Sequence, residues 1–546
     1  MELLFGALLA MSITMLLIPL LMRWAGVLGM LDQPDARKVH ANPIPRVGGI
    51  AMGVAILAAI CLWAEFTVQL KAYLLAVLIL LMFGITDDRI MLSSTWKFTG
   101  QFLAALVVMY IGGISVSTIS IVQHVEIPMW CSLPITLFVI VGFTNAMNLS
   151  DGLDGLAGGS ALMCLSGILL LALTAGSIQI ALLCLVTMGA VLGFLRFNTF
   201  PARVFMGDTG SQLLGFSVAV FSLVLTQDRE LPYSSALPLL LLGVPVIDTL
   251  TVMIERILEG KSPFHADRTH IHHRLLDLGF DHHEAVILIY GAQAVLMSLA
   301  WFLRYESDLI VIGVFMMVAL IAVTSLRYLR HRGWRWRQKM DDLPKQSWVS
   351  SQLNSLPQSQ RGFQFMGNMV GIAMLAYAIL LIINGLNPPS DIRILSMILV
   401  GILLLSIMVR RTVDSVGWVE RGVLYISVLI AVSLDRAGVI PHDLKYVVEL
   451  FIFLILGIAI IARLYLFNDK IHEITTMDVL VMLIALALPN LPGSVLSVYA
   501  AGWVVAKVVF LMYGIESLVI TSSKQRIVMA VGILSFLGVL ALSSGT

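Results

Sequence analysis

Five polar clusters interrupt the apolar first half of the chain, and each holds side chains that can bind cations or phosphate. They are DQPDARKVHANPIPRVGG (32–49), GITDDR (84–89), NLSDGLDGLAGG (148–159), FNTFPARVFMGDTGS (197–211) and SPFHADRTHIHHRL (262–275). A count of the apolar runs between them places all five on one side of a membrane. Carboxylates, a lysine, an Arg/His loop and glycine-rich turns together indicate Mg²⁺-dependent phosphate chemistry.

The second cluster carries two adjacent carboxylates, Asp87 and Asp88, at the end of an apolar run. They could bind a cation, or one could act as a base if the other raised its pKa. For a lone Asp-Asp pair, a solvated helix end is the simpler explanation. Lys97 lies about ten residues further along the chain, near the start of the next apolar run. It is either a lysine that snorkels to the membrane surface or one that binds a phosphate group.

Asp151 and Asp154 are three residues apart, so one helical turn would place them on the same face. The glycines between them allow close backbone approach. A helix N-cap at a tight helix crossing is the alternative, but it leaves the nearby Asn148 unexplained. Asp208 precedes a further apolar run and is either a Mg²⁺ ligand or a helix cap.

The fifth cluster is rich in histidine and also contains arginine. Its polar side chains include His265, Asp267, Arg268, His270, His272 and His273. Zinc binding is one interpretation, yet neither a cysteine nor an HExxH pattern supports it. A solvated loop is another, and recognition of phosphate and sugar oxygens by Arg and His is the one we favour. His282 and His283 are interpreted as interfacial polar residues.

The composition indicates an all-α, polytopic transmembrane helical bundle. The chain has 546 residues, of which 59% are hydrophobic and only 12% charged. Long apolar runs recur with the length of about 20 residues that a spanning helix needs. The net charge of +1 gives no nucleic-acid-binding face. The sequence lacks GxxxxGK[ST], which excludes a P-loop NTPase.

The apolar runs predict a transferase-sized unit of ten to eleven spans over residues 1–326, a basic and then polar linker over 327–361, and about seven further spans over 362–546. The predicted spans of the first unit are 3–22, 47–65, 70–86, 100–120, 131–147, 157–175, 177–195, 210–226, 235–255, 285–303 and 308–326. Those of the second unit are 362–384, 391–409, 416–435, 446–467, 476–495, 498–519 and 526–543. Lys and Arg are concentrated in alternate loops, which predicts a cytoplasmic location for the polar clusters and the linker.

These motifs, in this order and spacing, resemble the polyprenyl-phosphate N-acetylhexosamine-1-phosphate transferase family over roughly residues 1–326. The ADRTHIHHRL ending is similar to the branch that uses UDP-GlcNAc rather than to the MurNAc-pentapeptide translocase branch. The resemblance implies a bacterial inner-membrane enzyme that faces the cytoplasm. Its substrates would be a UDP-N-acetylhexosamine and polyprenyl (undecaprenyl) phosphate, and its products polyprenyl-diphosphate-sugar and UMP.

The resemblance also implies roles for individual residues. Asn148 and Asp208 would hold Mg²⁺, for which Mn²⁺ is an alternative, and Asp87 or Asp88 would position or deprotonate the lipid phosphate. The substrate-binding residues would be Lys38, Lys97, Asp151, Asp154, Arg268, His270, His272 and His273. A lipid phosphate is already largely ionised near pH 7, with a second pKa of about 6, so a dedicated base is not required.

Two questions stay open at this point. A transporter would also use intramembrane carboxylates, although it would place them near mid-span within symmetric repeats. Residues 362–546 depart from the resemblance and show no catalytic cluster; a structural or partner-binding role is favoured there over a second active site. The sequence is compatible with a homodimer and with envelope-glycan assembly proteins docked on these C-terminal spans.

Overall fold

The computed structural model describes residues 2–33, 43–120, 124–228, 231–262, 270–335, 390–409 and 523–542, together with 423, 427 and 430. The chain divides into two compact units, one formed mainly by residues 1–340 and the other by most of 341–546. Lys38 and Arg268 lie outside the described residues, and so do the predicted spans 362–384, 446–467, 476–495 and 498–519 and nearly all of 416–435.

The first unit is built from helices. In chain order they are α1 (Glu2–Leu28), α2 (Gly48–Trp63), α3 (Val68–Ile90), α4 (Ser94–Tyr110), α5 (Met129–Leu149), α6 (Leu156–Thr174), α7 (Ile178–Asn198), α8 (Gly207–Thr226), α9 (Leu237–Leu241), α10 (Gly243–Leu258), α11 (Ile271–Asp277), α12 (His282–Phe302) and α13 (Asp308–His331). Among the described residues, eight helices are long and apolar enough to cross a membrane. The protein is therefore a multi-pass membrane protein.

Two short antiparallel hairpins complete this unit. Strand β1 (Leu31–Asp32) pairs with β2 (Ile44–Pro45), and β3 (Thr118–Ser120) pairs with β4 (His124–Glu126). The predicted span 100–120 is corrected here, because α4 begins at Ser94 and ends at Tyr110, before Gly112 and Gly113. The residues that follow turn into β3 instead of continuing the helix.

Helix α8 is the most deeply buried of the eight described spanning helices, with 94% of its most apolar stretch buried inside the protein. It packs against α2, α3, α5 and α6. Close approach requires small residues at the crossings: a Cβ on Gly49 of α2 would lie 2.3 Å from the backbone nitrogen of Gly210. The first turn of α8, which carries Asp208, is thereby fixed among the ends of its neighbours.

The predicted span 235–255 is divided into α9 and α10 at Leu242 and Gly243. Buried Gln293 of α12 satisfies the backbone at this break. Its side chain accepts from the Val244 nitrogen at 3.0 Å and donates to the Leu241 carbonyl at 2.6 Å. Without such a partner, these backbone groups would be costly to bury inside an apolar bundle.

Helix α13 runs on to His331, so the first residues of the predicted linker, 327–331, are helical. In the second unit, the helices Ser390–Val409 and Ser523–Leu542 coincide closely with the predicted spans 391–409 and 526–543. These two helices, α14 and α15, pack against each other.

Candidate active site

Four helices bring their polar ends together around the first turn of α8. Lys97 of α4 contacts both Asp208 of α8 and Asp87 of α3, and its Nζ lies 2.7 Å from Asp87 Oδ2. Asn148 at the end of α5 donates from Nδ2 to Asp208 Oδ1 at 3.0 Å and to Ser211 Oγ at 2.7 Å. The structure therefore brings together predicted residues from three separate sequence clusters and the lysine beyond them.

Asp87 and Asp208 differ in their exposure. The side chain of Asp87 is 3% exposed, and its Oδ2 meets Lys97 as an ion pair without hydrogen-bond geometry. Its Oδ1 accepts from the Leu92 backbone nitrogen at 2.7 Å. The side chain of Asp208 is 29% exposed and opens to solvent. Of the two carboxylates that contact Lys97, Asp208 is thus the one that a ligand from solution reaches more easily.

Asp88 makes different contacts from its neighbour Asp87. Its carboxylate accepts from the backbone nitrogens of Asp208 (2.8 Å) and Thr209 (3.1 Å) and from Thr209 Oγ1 (2.6 Å). These are the otherwise unpaired donors at the start of α8, so Asp88 caps that helix from a neighbouring helix. Gly207 makes room for it: its φ is +66°, and a Cβ there would lie 2.4 Å from Asp88 Oδ2.

The turn between α5 and α6 carries Asp151 and Asp154, which also diverge. Asp154 Oδ2 accepts from the Ala202 backbone nitrogen at 2.9 Å. Asn198 and Tyr290 hold Gly155 through its nitrogen (3.0 Å) and its carbonyl (2.7 Å), respectively. Asp154 therefore ties the turn to the loop before α8. The expected one-face arrangement on a helical turn is not seen, because α6 begins only at Leu156.

Asp151 lies in the same turn, and the residue as a whole is exposed. The dense protein around the turn raises the pKa of Asp151 to about 7, and the negative charges of Asp208 and Asp154 add to this effect. The charge of Arg46 acts in the opposite direction. Asp151 thus belongs electrostatically to the same site as Asp208 and would gain from a bound cation.

The end of the first polar cluster, residues 43–49, lies beside this site; the sequence pointed to the cluster as a whole but gave Arg46 no role in the site. Arg46 pairs with buried Asp32, and its backbone nitrogen donates to the Met30 carbonyl at 2.9 Å. The segment around it is paired with the one before α8: Phe205 donates to the Pro45 carbonyl at 2.8 Å, and Gly48 donates to the Phe205 carbonyl at 3.0 Å.

The histidine cluster lies against the turn that carries Asp151. His270 precedes α11, and His272 and His273 lie within its first turn. His272 is so close to Gly152 that a Cβ there would lie 2.2 Å from His272 Nε2. Burial lowers the pKa of His272 to about 3, and His273 nearby contributes in the same direction. His272 is therefore a neutral imidazole at physiological pH.

His282, interpreted from sequence as an interfacial polar residue, also contacts this turn. Its Nε2 lies 3.3 Å from the Asp154 carbonyl, and its ring packs on Phe200 with a centroid separation of 4.5 Å. Sequence reasoning missed Asp248 of α10 as well, whose carboxylate meets His270. A carboxylate within a predicted span is itself a signal, because charges are rarely placed there without a function.

The donor set fits a Mg²⁺ ion in its composition and charge. Asp87 and Asp208 share the single positive charge of Lys97, which leaves one negative charge in excess before the carboxylates of Asp88 and Asp151 are counted. A site of this sign repels phosphate unless a cation accompanies it. Within the described parts of the chain no group of three or more His, Cys, Asp or Glu could hold a metal alone. Mg²⁺ in phosphate sites is commonly held by one or two carboxylates plus substrate oxygens.

Residues 70–226 match the model of Glycosyl transferase family 4. This segment begins in α3 and ends with α8, so it contains Asp87, Lys97, Asn148 and Asp208. It also contains the turn with Asp151 and Asp154.

The chain is 39% identical over 284 residues to the probable undecaprenyl-phosphate N-acetylglucosaminyl 1-phosphate transferase of Bacillus subtilis (strain 168), an alignment that covers 51% of this chain and 78% of the relative. It is 31% identical over 315 residues to the undecaprenyl-phosphate alpha-N-acetylglucosaminyl 1-phosphate transferase of Escherichia coli (strain K12), and this alignment covers 56% of this chain and 85% of the relative. It is 34% identical over 346 residues to the decaprenyl-phosphate N-acetylglucosaminephosphotransferase of Mycolicibacterium smegmatis, again with 56% of this chain and 85% of the relative covered.

Proposed function

Because this chain belongs to the family of polyprenyl-phosphate N-acetylglucosaminyl 1-phosphate transferases, we propose that it transfers N-acetylhexosamine 1-phosphate from a UDP-sugar to a membrane polyprenyl phosphate. GlcNAc 1-phosphate is the first candidate for the transferred group. The product would be a polyprenyl-diphosphate-sugar that starts a cell-envelope glycan, and UMP would be released. The transporter alternative is not favoured, because the relatives are transferases.

The observation that carries the proposal is the convergence of Asp87, Lys97, Asn148 and Asp208 from four helices. None of these residues is close to all the others in sequence, and ordinary helix packing does not require two carboxylates to share one lysine. The proposal places this cluster on the cytoplasmic face of the inner membrane, as the distribution of Lys and Arg favours.

In the proposed reaction, an oxygen of the lipid phosphate attacks the β-phosphorus of the UDP-sugar. The bond between that phosphorus and the oxygen bridging to UMP breaks, and UMP leaves with the electron pair. A lipid phosphate is already largely ionised near pH 7, so its attack needs positioning and charge compensation more than a base.

The residues present divide these tasks. Asp208 and Asn148 would hold Mg²⁺, with Asp87 beside them, and the ion would supply charge compensation for the diphosphate when bound. Lys97 contributes a positive charge within contact distance of both carboxylates. Asp88 and Gly207 fix the first turn of α8, which keeps Asp208 at the centre.

The turn with Asp151 and helix α11 form the neighbouring part of the site. We assign nucleotide and sugar recognition to this part, because it combines an exposed carboxylate with histidine donors and acceptors. Whether the sugar is GlcNAc or its C4 epimer depends on one hydroxyl group, and discrimination at that level needs a hydrogen-bonding partner in the pocket.

Purified protein in lipid nanodiscs, given labelled UDP-GlcNAc, polyprenyl phosphate and Mg²⁺, tests the proposal. UMP and a lipid-linked sugar should form only when all three are present, and UDP-GalNAc in place of UDP-GlcNAc identifies the preferred sugar. Asp208→Ala should abolish UMP release while the protein remains folded. Uptake of the nucleotide sugar into vesicles without UMP release would instead establish the transporter.

A further inference from the structure

Asp248 of α10 is a buried carboxylate that holds the start of α11 at two points. It is 4% exposed. Its Oδ2 lies 2.9 Å from His270 Nδ1, and its Oδ1 accepts from the Ile271 backbone nitrogen at 2.7 Å. One carboxylate therefore sets both the backbone position and the imidazole orientation at this point of the chain.

The contact with Nδ1 decides which ring nitrogen of His270 is left for a ligand. With a carboxylate at Nδ1, that nitrogen carries a proton and donates it, in the neutral ring as well as in the charged one. Nε2 is then the nitrogen that can meet a substrate oxygen. An amide or an apolar residue at position 248 would leave both the tautomer and the ring angle unspecified.

His270 contacts the candidate active site through His272. The rings of His270 and His272 are nearly parallel, with an interplanar angle of 5° and centroids 5.9 Å apart. His272 in turn packs on Gly152, next to Asp151. Asp248 thus supports a row of two imidazoles that ends at the turn facing the Asp208 cluster.

We propose that Asp248 is a positioning residue that orients His270 for binding the phosphate-bearing part of the UDP-sugar. The assignment rests on the proposed function, since it takes the nucleotide sugar as the ligand of α11. Asp248 itself need not touch the substrate. An asparagine can keep the contact between Oδ1 and the Ile271 nitrogen, so the effect of Asp248→Asn should pass through the side chain of His270.

The chain offers a matched control in a second link between the same two helices. Glu255 of α10 accepts from Arg274 of α11, with an Oε1–Nη1 distance of 3.1 Å, and it also pairs with Arg327 of α13 at 2.8 Å. This link holds α11 by its other end and touches no histidine. Replacement of Glu255 therefore shows how activity changes when α11 is held less firmly while its histidines keep their partners.

The test compares single and double variants of the full-length protein in nanodiscs, with kcat and KM for UDP-GlcNAc measured by UMP release. Asp248→Asn should lower kcat/KM by about 10- to 100-fold, by analogy with the loss of partners that orient metal-bound histidines. In a His270→Ala background, Asp248→Asn should have no further effect beyond about twofold. Glu255→Gln should reduce activity by the same factor with or without His270.

Equal effects of Asp248→Asn in both backgrounds would overturn the inference and leave Asp248 as a purely structural tether. If Asp248→Asn does not fold, Asp248→Glu serves instead, because it keeps the charge and moves it by one methylene. This shift also disturbs the contact with the Ile271 nitrogen, so its effect on kcat/KM should be smaller in the His270→Ala background than in the wild type. Equal effects in both backgrounds would overturn the inference.

The inference and the proposed function can fail separately. A wild-type protein that releases no UMP contradicts the proposed function, and UMP binding then decides the inference. UMP should raise the Tm of the wild type and of Glu255→Gln, but not that of Asp248→Asn or His270→Ala. UMP protection of Asp248→Asn equal to that of the wild type would contradict the positioning role.

Discussion

Exchange of Asp88 for asparagine should destabilise the protein, whereas the same exchange at Asp87 should mainly remove activity. Asp88 accepts three hydrogen bonds with both of its oxygens, all from the start of α8. An asparagine keeps one oxygen and turns the other position into a donor. An N–H would then face another N–H or a hydroxyl donor.

The magnitude follows from these contacts. Loss of one hydrogen bond to a charged acceptor costs about 1.5–3 kcal/mol, and a buried donor left without a partner adds about 1–3 kcal/mol. Asp88→Asn should therefore lower the free energy of unfolding by about 2.5–6 kcal/mol. At Asp87, an asparagine can keep the acceptor for the Leu92 nitrogen while it loses the ion pair with Lys97. We expect a loss of unfolding free energy below about 2 kcal/mol and a large loss of turnover.

Thermal unfolding in a mild detergent, followed together with UMP release from the same preparations, measures both effects. Thr209→Val is a graded control, because it removes only the 2.6 Å hydroxyl contact to Asp88. It should destabilise less than Asp88→Asn. An Asp88→Asn protein that unfolds at the wild-type temperature would refute the capping role of Asp88.

Three further predictions concern other parts of the molecule. Gly152→Ala should cost about 1–3 kcal/mol of stability or of nucleotide binding, because its Cβ would lie 2.2 Å from His272 Nε2. Gly142→Ala is the control, because a Cβ at that position would have no atom within 4 Å. Measurements of Tm and of UMP affinity should show a loss for Gly152→Ala and no change for Gly142→Ala. The pKa of His272 in the folded state, about 3, lies below the ordinary value of about 6.5, so the unfolded chain binds more protons than the folded one. Stability should therefore fall as the pH drops below 6.5, by up to about 1.4 kcal/mol per pH unit. When the pH is lowered from 7.5 to 5.5, Tm should decline less steeply in His272→Gln than in the wild type. A chain ended after residue 345 should still release UMP in nanodiscs, and complete loss of UMP release in a folded protein would show that the second unit is required for turnover.

Much of the helical architecture could be predicted from the sequence, because spanning helices must be apolar over a fixed length. The exceptions have local physical causes. The predicted span 100–120 was displaced because an apolar count does not see the N-cap region before Thr95 or the turn at Gly112. The division of 235–255 depends on Gln293, which lies some 50 residues further along the chain and satisfies the broken backbone.

The site was predictable as a set of residues but not as a set of roles. Consecutive residues on a helix point about 100° apart, so Asp87 and Asp88 face different neighbours, and no feature of the dipeptide says which one meets Lys97. Asp154 and Asp151 diverge for a comparable reason, since the turn that carries them is not helical. Asp248 contacts His270 only because the fold places the start of α11 beside α10.

The central claim is that Asp208, held by Asp88 and Asn148, forms one divalent-cation site with Asp87. Electron paramagnetic resonance titration of Mn²⁺ into the nanodisc-embedded protein in the presence of UMP measures this most directly. One tightly bound Mn²⁺ per chain should be seen in the wild type and in Glu255→Gln, and Asp208→Asn should lose it. Undiminished Mn²⁺ binding by Asp208→Asn would contradict the account.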